Sequence, residues 1–213
     1  MKNKDNILYL GAIGGFGFNE DDISPLEFID WLNTQSDIEV RINSGGGSVF
    51  DAMKIYSELQ RHSKNNRVDV YVDGLSASAA SFLMFGGSSL HIPENATIMI
   101  HKPSTISMGN ADELRKDAEA LDSIQNSIES IYNKFAKISS VQVHHLMNKE
   151  TWFSGKEFAE NFRCEVDGIT DNTTFATAFK NRWQKRNNEI VSRGTISNDN
   201  SKWQKMEREW KWK

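Results

Sequence analysis

The fold class that the sequence predicts is α/β. Twice a strand pattern runs through a glycine-bearing corner into a helix pattern: IEVRI at residues 38–42 passes through NSGGGS into VFDAMKIYSEL, and VDVYV at residues 68–72 passes through DGLSAS into an apolar run ending near Phe85. A third stretch, from about residue 110 to 135, keeps apolar residues at helical spacing over some seven turns. With 213 residues, 38% of them hydrophobic and only three prolines, the chain has enough apolar material for one globular domain with a sizeable core and an appendage.

In chain order, ILYLG at residues 7–11 is the first strand. The loop GAIGGFGF follows. Its clustered Gly11, Gly14 and Gly15 suggest a phosphate cradle, but the spacing fits neither GxGxxG nor the P-loop, and no Lys-Ser/Thr pair comes after it. Ser24-Pro25 supplies a cap and a first-turn proline for a helix whose Leu26, Ile29 and Leu32 share a face. After IEVRI, Gly45, Gly46 and Gly47 leave a bare backbone at the corner, where an amide could approach a ligand oxygen closely, as an oxyanion hole requires. A plain flexible turn is the simpler use of the same glycines. The helix behind it presents Val49, Met53, Tyr56 and Leu59 at helical spacing.

The stretch from Gly74 to His101 carries the candidate chemistry. Gly74 allows a sharp turn off the strand, and a serine at the following helix start would stand in the open beside unpaired amides and the positive dipole end. Ser76, Ser78 and Ser81 all satisfy that pattern. A Gly86-Gly87 break, a strand at residues 90–92, a turn at 93–95 and the strand TIMI lead to His101, which Lys102-Pro103 leave at the strand's C-terminal end. Ligand sites in open α/β sheets lie at that edge. Serine and histidine together suit nucleophilic catalysis, while small residues that merely pack and a histidine that merely bonds the backbone are the bland alternatives.

Beyond His101, Asn110 or Gly109 opens the long amphipathic helix of Leu114, Leu121, Ile124, Ile128, Ile131 and Phe135. A helix of that length in a small domain suggests a partner. His144 and His145 point differently from a helix and make a poor metal pair, so no metal site is expected. The single cysteine, Cys164, excludes an internal disulfide and reads as a small buried hydrophobe. No apolar window reaches the length of a membrane span and no signal peptide is apparent, so the expected location is cytoplasmic, without membrane contact. From Lys180 onward ten basic residues face four acidic ones, giving a +6 tail on a chain of net charge −4. That tail holds four of the six tryptophans, and Trp203, Met206 and Trp210 share a helical face suited to docking on protein in preference to nucleic acid. The expected division is a domain at residues 1–172 and a basic, Trp-rich tail at 173–213.

Together the two corners resemble a known family. INSGGGSVFDAMKIY is similar to the INSPGGxVxxGxxIY stretch of the Clp protease proteolytic subunits, and VDGLSASAASFLMFGG followed by IPENATIMIHKP is similar to their GxAAS…G…LPNSxxMIHQP. The phage and prophage branch, the head-maturation (prohead) proteases, comes closest through RINSGGGSVFDA, GNADELRK and ETWFS; the similarity spans residues 7–171. It implies a ClpP/crotonase-like fold of stacked β-β-α units with a long handle helix, and a small deletion in the Gly86 to Ser89 turn.

The resemblance also implies roles. Ser78 matches the nucleophile of GxAAS and His101 the base of MIH; Glu150 falls where an acid precedes the WFSG segment, with Asp171 and Asp167 as alternatives. The backbone amides of Gly46 and Ala79 match the oxyanion hole, although Gly45 stands where housekeeping members have proline, which predicts a looser corner. The implied activity is that of a serine endopeptidase without metal or organic cofactor, assembled as a homo-oligomeric ring or a stack of such rings, acting on capsid or scaffold protein. Only about six residues precede the first strand, too few for the entrance loops that meet an ATPase, so an unfoldase-assisted Clp-type subunit is the second expectation. Rival expectations are an inactive capsid-assembly component and a crotonase-type acyl-CoA enzyme, neither of which needs Ser78. An α/β-hydrolase is disfavoured because GxSxG is missing.

Overall fold

A computed structural model describes residues 3–4, 6–14 and 25–168, all within one compact unit, Met1–Ala176. Expectations about the basic tail and Asp171 lie outside the described residues. The strands are β1 (Asn3–Lys4), β2 (Ile7–Leu10), β3 (Ile38–Ser44), β4 (Val68–Ala77), β5 (Ser89–Pro93), β6 (Thr97–Ile100), β7 (Thr151–Ser154) and β8 (Glu165–Asp167). The helices are α1 (Pro25–Leu32), α2 (Val49–His62), α3 (Ala79–Leu83), α4 (Ala111–Phe135), α5 (Ser140–Asn148) and α6 (Gly155–Asn161). The α/β architecture is the one expected.

One sheet runs in the order β1-β2-β3-β4-β5-β8, parallel from β2 to β8. Parallel sheets are covered on their faces, and β-branched residues accordingly fill the core positions here: Val40, Ile42, Val68, Val70, Val72 and Ile92 are all essentially buried. The long strand β4 changes partner along its length. Its first part pairs with β5, Val70 opposite Leu90, and its last part with β6, Ala77 opposite Met99. Antiparallel to β6 runs β7, with Ile100 opposite Thr151. The fork therefore brings the ends of β4 and β6 and the start of β7 to one edge.

Two local expectations are corrected. Gly74 is not a corner: β4 continues through it to Ala77, because the residues after Gly74 find partners in β6. On α2 the fully buried face is Ala52, Ile55 and Leu59, while Val49, Met53 and Tyr56 pack only partly against the core. The helix carries two apolar rows, and the core takes the one with the smaller residue at its start.

The 25-residue α4 starts at Asn110, whose side chain accepts from the amides of Asp112 and Glu113 while Glu113 returns a bond to the Asn110 amide. Its residues 111–120 are exposed, and Leu114 is 43% exposed; Gln125, Ile128 and Tyr132 are buried. The stripe read from the sequence thus meets the core only in its second half. Val143 and Met147 of α5 are buried, and His144 Nδ1 lies 2.7 Å from Glu129 Oε1, tying α5 to α4. Cys164 is half-buried, and burial pushes its thiol up.

Candidate active site

The turn from β4 to α3 is made by Ser78 itself. Its backbone sits at φ 55°, ψ −125°, a conformation that non-glycine residues seldom adopt, that costs about 1–3 kcal/mol and that persists only where the surroundings enforce it. Enforcement comes from both sides. The Ser78 N–H donates to Met99 O at 3.0 Å, continuing the β4–β6 ladder, and its carbonyl accepts the Ser81 N–H at 3.0 Å, starting the helix. Changing direction within one residue lifts Oγ off the sheet edge, as strained strand-to-helix turns do for other nucleophiles.

His101 follows β6 directly, and its Nε2 lies 2.8 Å from Ser78 Oγ. Among the three candidate serines only Ser78 makes this contact. Ser76 Oγ is buried without a hydrogen-bond partner among the described residues, and Ser81 Oγ is bonded behind the turn. The imidazole is 17% exposed. Its burial lowers the pKa below the ordinary 6.5, opposed in part by the charge of Glu150, so the ring is neutral and able to accept a proton near neutral pH.

Glu150 precedes β7 and has a positive φ of 50°. Its Oε2 lies 4.0 Å from His101 Nδ1, an ion-pair distance longer than a hydrogen bond, while Oε1 accepts from Trp152 Nε1 at 3.3 Å. The alternative Asp167 is elsewhere on the sheet, on β8, with Oδ1 3.7 Å from His91 Nδ1. Of the two candidate acids among the described residues, Glu150 is the one beside the imidazole.

The β3–α2 corner abuts the nucleophile. Gly46 has φ +92°, and a Cβ there would come within 2.6 Å of Ala77 O, 2.7 Å of Ser78 Cβ and 2.8 Å of Ala79 N, so only glycine fits. Both expected oxyanion donors therefore flank Ser78. As the first residue of α3, Ala79 has no intrahelical partner for its N–H. The Gly46 N–H donates to Ser44 Oγ at 3.1 Å, so it must leave that hydroxyl before it can hold a ligand oxygen. Nor is the corner loose for want of proline. Ile13 N–H donates to Gly46 O at 3.1 Å and Ser48 N–H to Ile13 O at 2.8 Å, stitching the corner to the segment after β2. Sequence reading missed this buttress; the only signal was an isolated apolar residue inside a glycine-rich loop.

Among the described residues no group of three or more His, Cys, Asp or Glu side chains could hold a metal ion, and no helix is long and apolar enough to cross a membrane. What the edge assembles is a hydroxyl on a strained turn, a neutral imidazole in contact with it, a carboxylate behind the imidazole and amides beside the hydroxyl. Such a set can attack a carbonyl carbon and shuttle the proton, which is the equipment of a hydrolase acting through a covalent acyl intermediate. The family model described as Clp protease matches residues 3–162, and the chain belongs to that family, one of peptidases.

Proposed function

We propose that the protein is a serine endopeptidase in which Ser78 is the nucleophile, His101 the general base and Glu150 the group that orients and steadies the imidazole. The observation carrying this reading is the 2.8 Å contact between Ser78 Oγ and His101 Nε2 at a turn where Ser78 alone bears the strain. Ser78 Oγ attacks the peptide carbonyl carbon as Nε2 takes its proton, and the carbonyl π pair moves onto oxygen. That oxygen is held by the Ala79 N–H and by the Gly46 N–H once Ser44 releases it, each donor lowering the barrier by a few kcal/mol when aligned. Collapse breaks the C–N bond, and the leaving amine receives the proton from His101. A water then repeats the sequence on the acyl-enzyme, releasing the acid and restoring Ser78.

Similarity of RINSGGGSVFDA, GNADELRK and ETWFS to head-maturation proteases supports capsid or scaffold protein as the substrate and a homo-oligomeric ring as the working form. The test is labelling by a fluorophosphonate probe, beside co-expression with a phage capsid protein and its scaffold protein. Labelling and cleavage by wild type, both absent in Ser78→Ala, are expected. A wild-type chain that is folded yet neither labels nor cleaves is an assembly component and not a peptidase.

A further inference from the structure

Behind the nucleophile turn lies a relay of hydroxyls that the bond-breaking steps do not themselves use. Ser81 Oγ donates to the Ser78 carbonyl oxygen at 2.6 Å, joining the Ser81 N–H on the same oxygen. With its one proton committed there, the Ser81 hydroxyl accepts from the Tyr132 phenol of α4, also at 2.6 Å. Ser81 and Tyr132 are 0% and 1% exposed, so water does not compete for either bond. Burial pushes the phenol up, and it remains a donor across the whole physiological range.

The carbonyl of Ser78 and the N–H of Ala79 belong to one planar peptide unit and point in opposite directions. Whatever fixes the oxygen aims the N–H. We propose that Ser81 and Tyr132 are positioning residues, which clamp the Ser78 carbonyl and so hold the Ala79 N–H on the developing oxyanion. This rests on the reading of Ser78 as the nucleophile. Strain at Ser78 supplies the reason for a clamp, because a residue held at φ 55°, ψ −125° tends to relax when released, and a change in its ψ turns the Ser78–Ala79 peptide. The Tyr132 ring is gripped independently, edge-on to Phe85 at 6.3 Å and beside Phe162 at 5.9 Å, so Tyr132→Phe removes the bond and leaves the packing.

The test compares full-length wild type, Tyr132→Phe, Ser81→Ala and the double variant in their reaction with a fluorophosphonate, resolving kinact from KI. A misaimed donor, as opposed to a deleted one, predicts a fall in kinact of about tenfold with KI unchanged in each single variant. Because both residues act on one peptide, the double variant falls no further than Ser81→Ala alone. It also leaves no buried hydroxyl orphaned, so it keeps the fold measurable if Ser81→Ala does not. Variants that melt lower but keep kinact within twofold of wild type show a merely structural bond and overturn the clamp. Absence of reaction in wild type overturns the nucleophile assignment, and the clamp with it.

Discussion

At the scale of single residues, the protonation state of His101 governs the proposed mechanism. The base must be neutral, and its pKa lies below 6.5 because burial outweighs the charge of Glu150. Activity is therefore retained as pH falls through 6.5 and is lost only below it. In Glu150→Gln the opposing charge disappears, and the acid limb of the kcat/KM profile should move to still lower pH. At 4.0 Å the carboxylate grips the ring loosely. The rate loss in that variant should accordingly be much smaller than the roughly 10⁴-fold known for a hydrogen-bonded triad acid. Gly46→Ala makes a harsher change, since its methyl meets Ser78 Cβ and Ala79 N below 3 Å at a φ of +92°. Loss of at least about 100-fold in probe labelling is expected, with a lowered Tm. His101 was legible as the residue after a short apolar strand, whereas Ser78 and Glu150 were singled out from their neighbours only by the resemblance to GxAAS and to the acid ahead of WFSG. Ser81 and Tyr132 were not paired in advance, since 51 residues separate them and neither breaks the pattern of its own helix.

Elements came through the sequence where periodicity was undiluted and failed where tertiary pairing overrode it. The strand at 68–72 was correctly begun and too early stopped, because Gly74 weakens a strand only when no neighbour holds it, and β6 does. On α2 two apolar rows competed, and only tertiary packing could choose between them. The seven-turn stripe of α4 was real, but periodicity does not say that one half lies clear of the domain. That exposure sets a prediction of its own. Asn110→Ala removes a capping box that is ordinarily worth about 1 kcal/mol, yet the first turns of α4 touch no core. The consequence should be local: faster amide hydrogen exchange in the first turn of α4, with global Tm and probe labelling unchanged.

For the whole molecule, the two most exposed large apolar side chains among the described residues sit beside the same arm. Ile106 and Met108, in the segment between β6 and α4, are 83% and 91% exposed, and Leu114 follows on α4. Members of this family generally form oligomeric rings. Light scattering should then give a mass several times the 24.2 kDa chain, and Ile106→Asp with Met108→Asp should lower it while the circular dichroism spectrum is kept.

The pairing of Ile100 with Thr151 carries a last implication for how such a chain can diversify. Everything from Lys102 to Lys149 is an excursion that departs and returns through adjacent rungs of one antiparallel ladder, much as a long fingertip grows from a hairpin. Its distal reach, up to where Gln125 settles into the interior, could be shortened, extended or exchanged for a foreign coupling module without disturbing the spacing of hydroxyl and imidazole. Architecture at the periphery is thereby uncoupled from chemistry at the root, leaving natural variation free to alter how copies associate while bond cleavage stays intact.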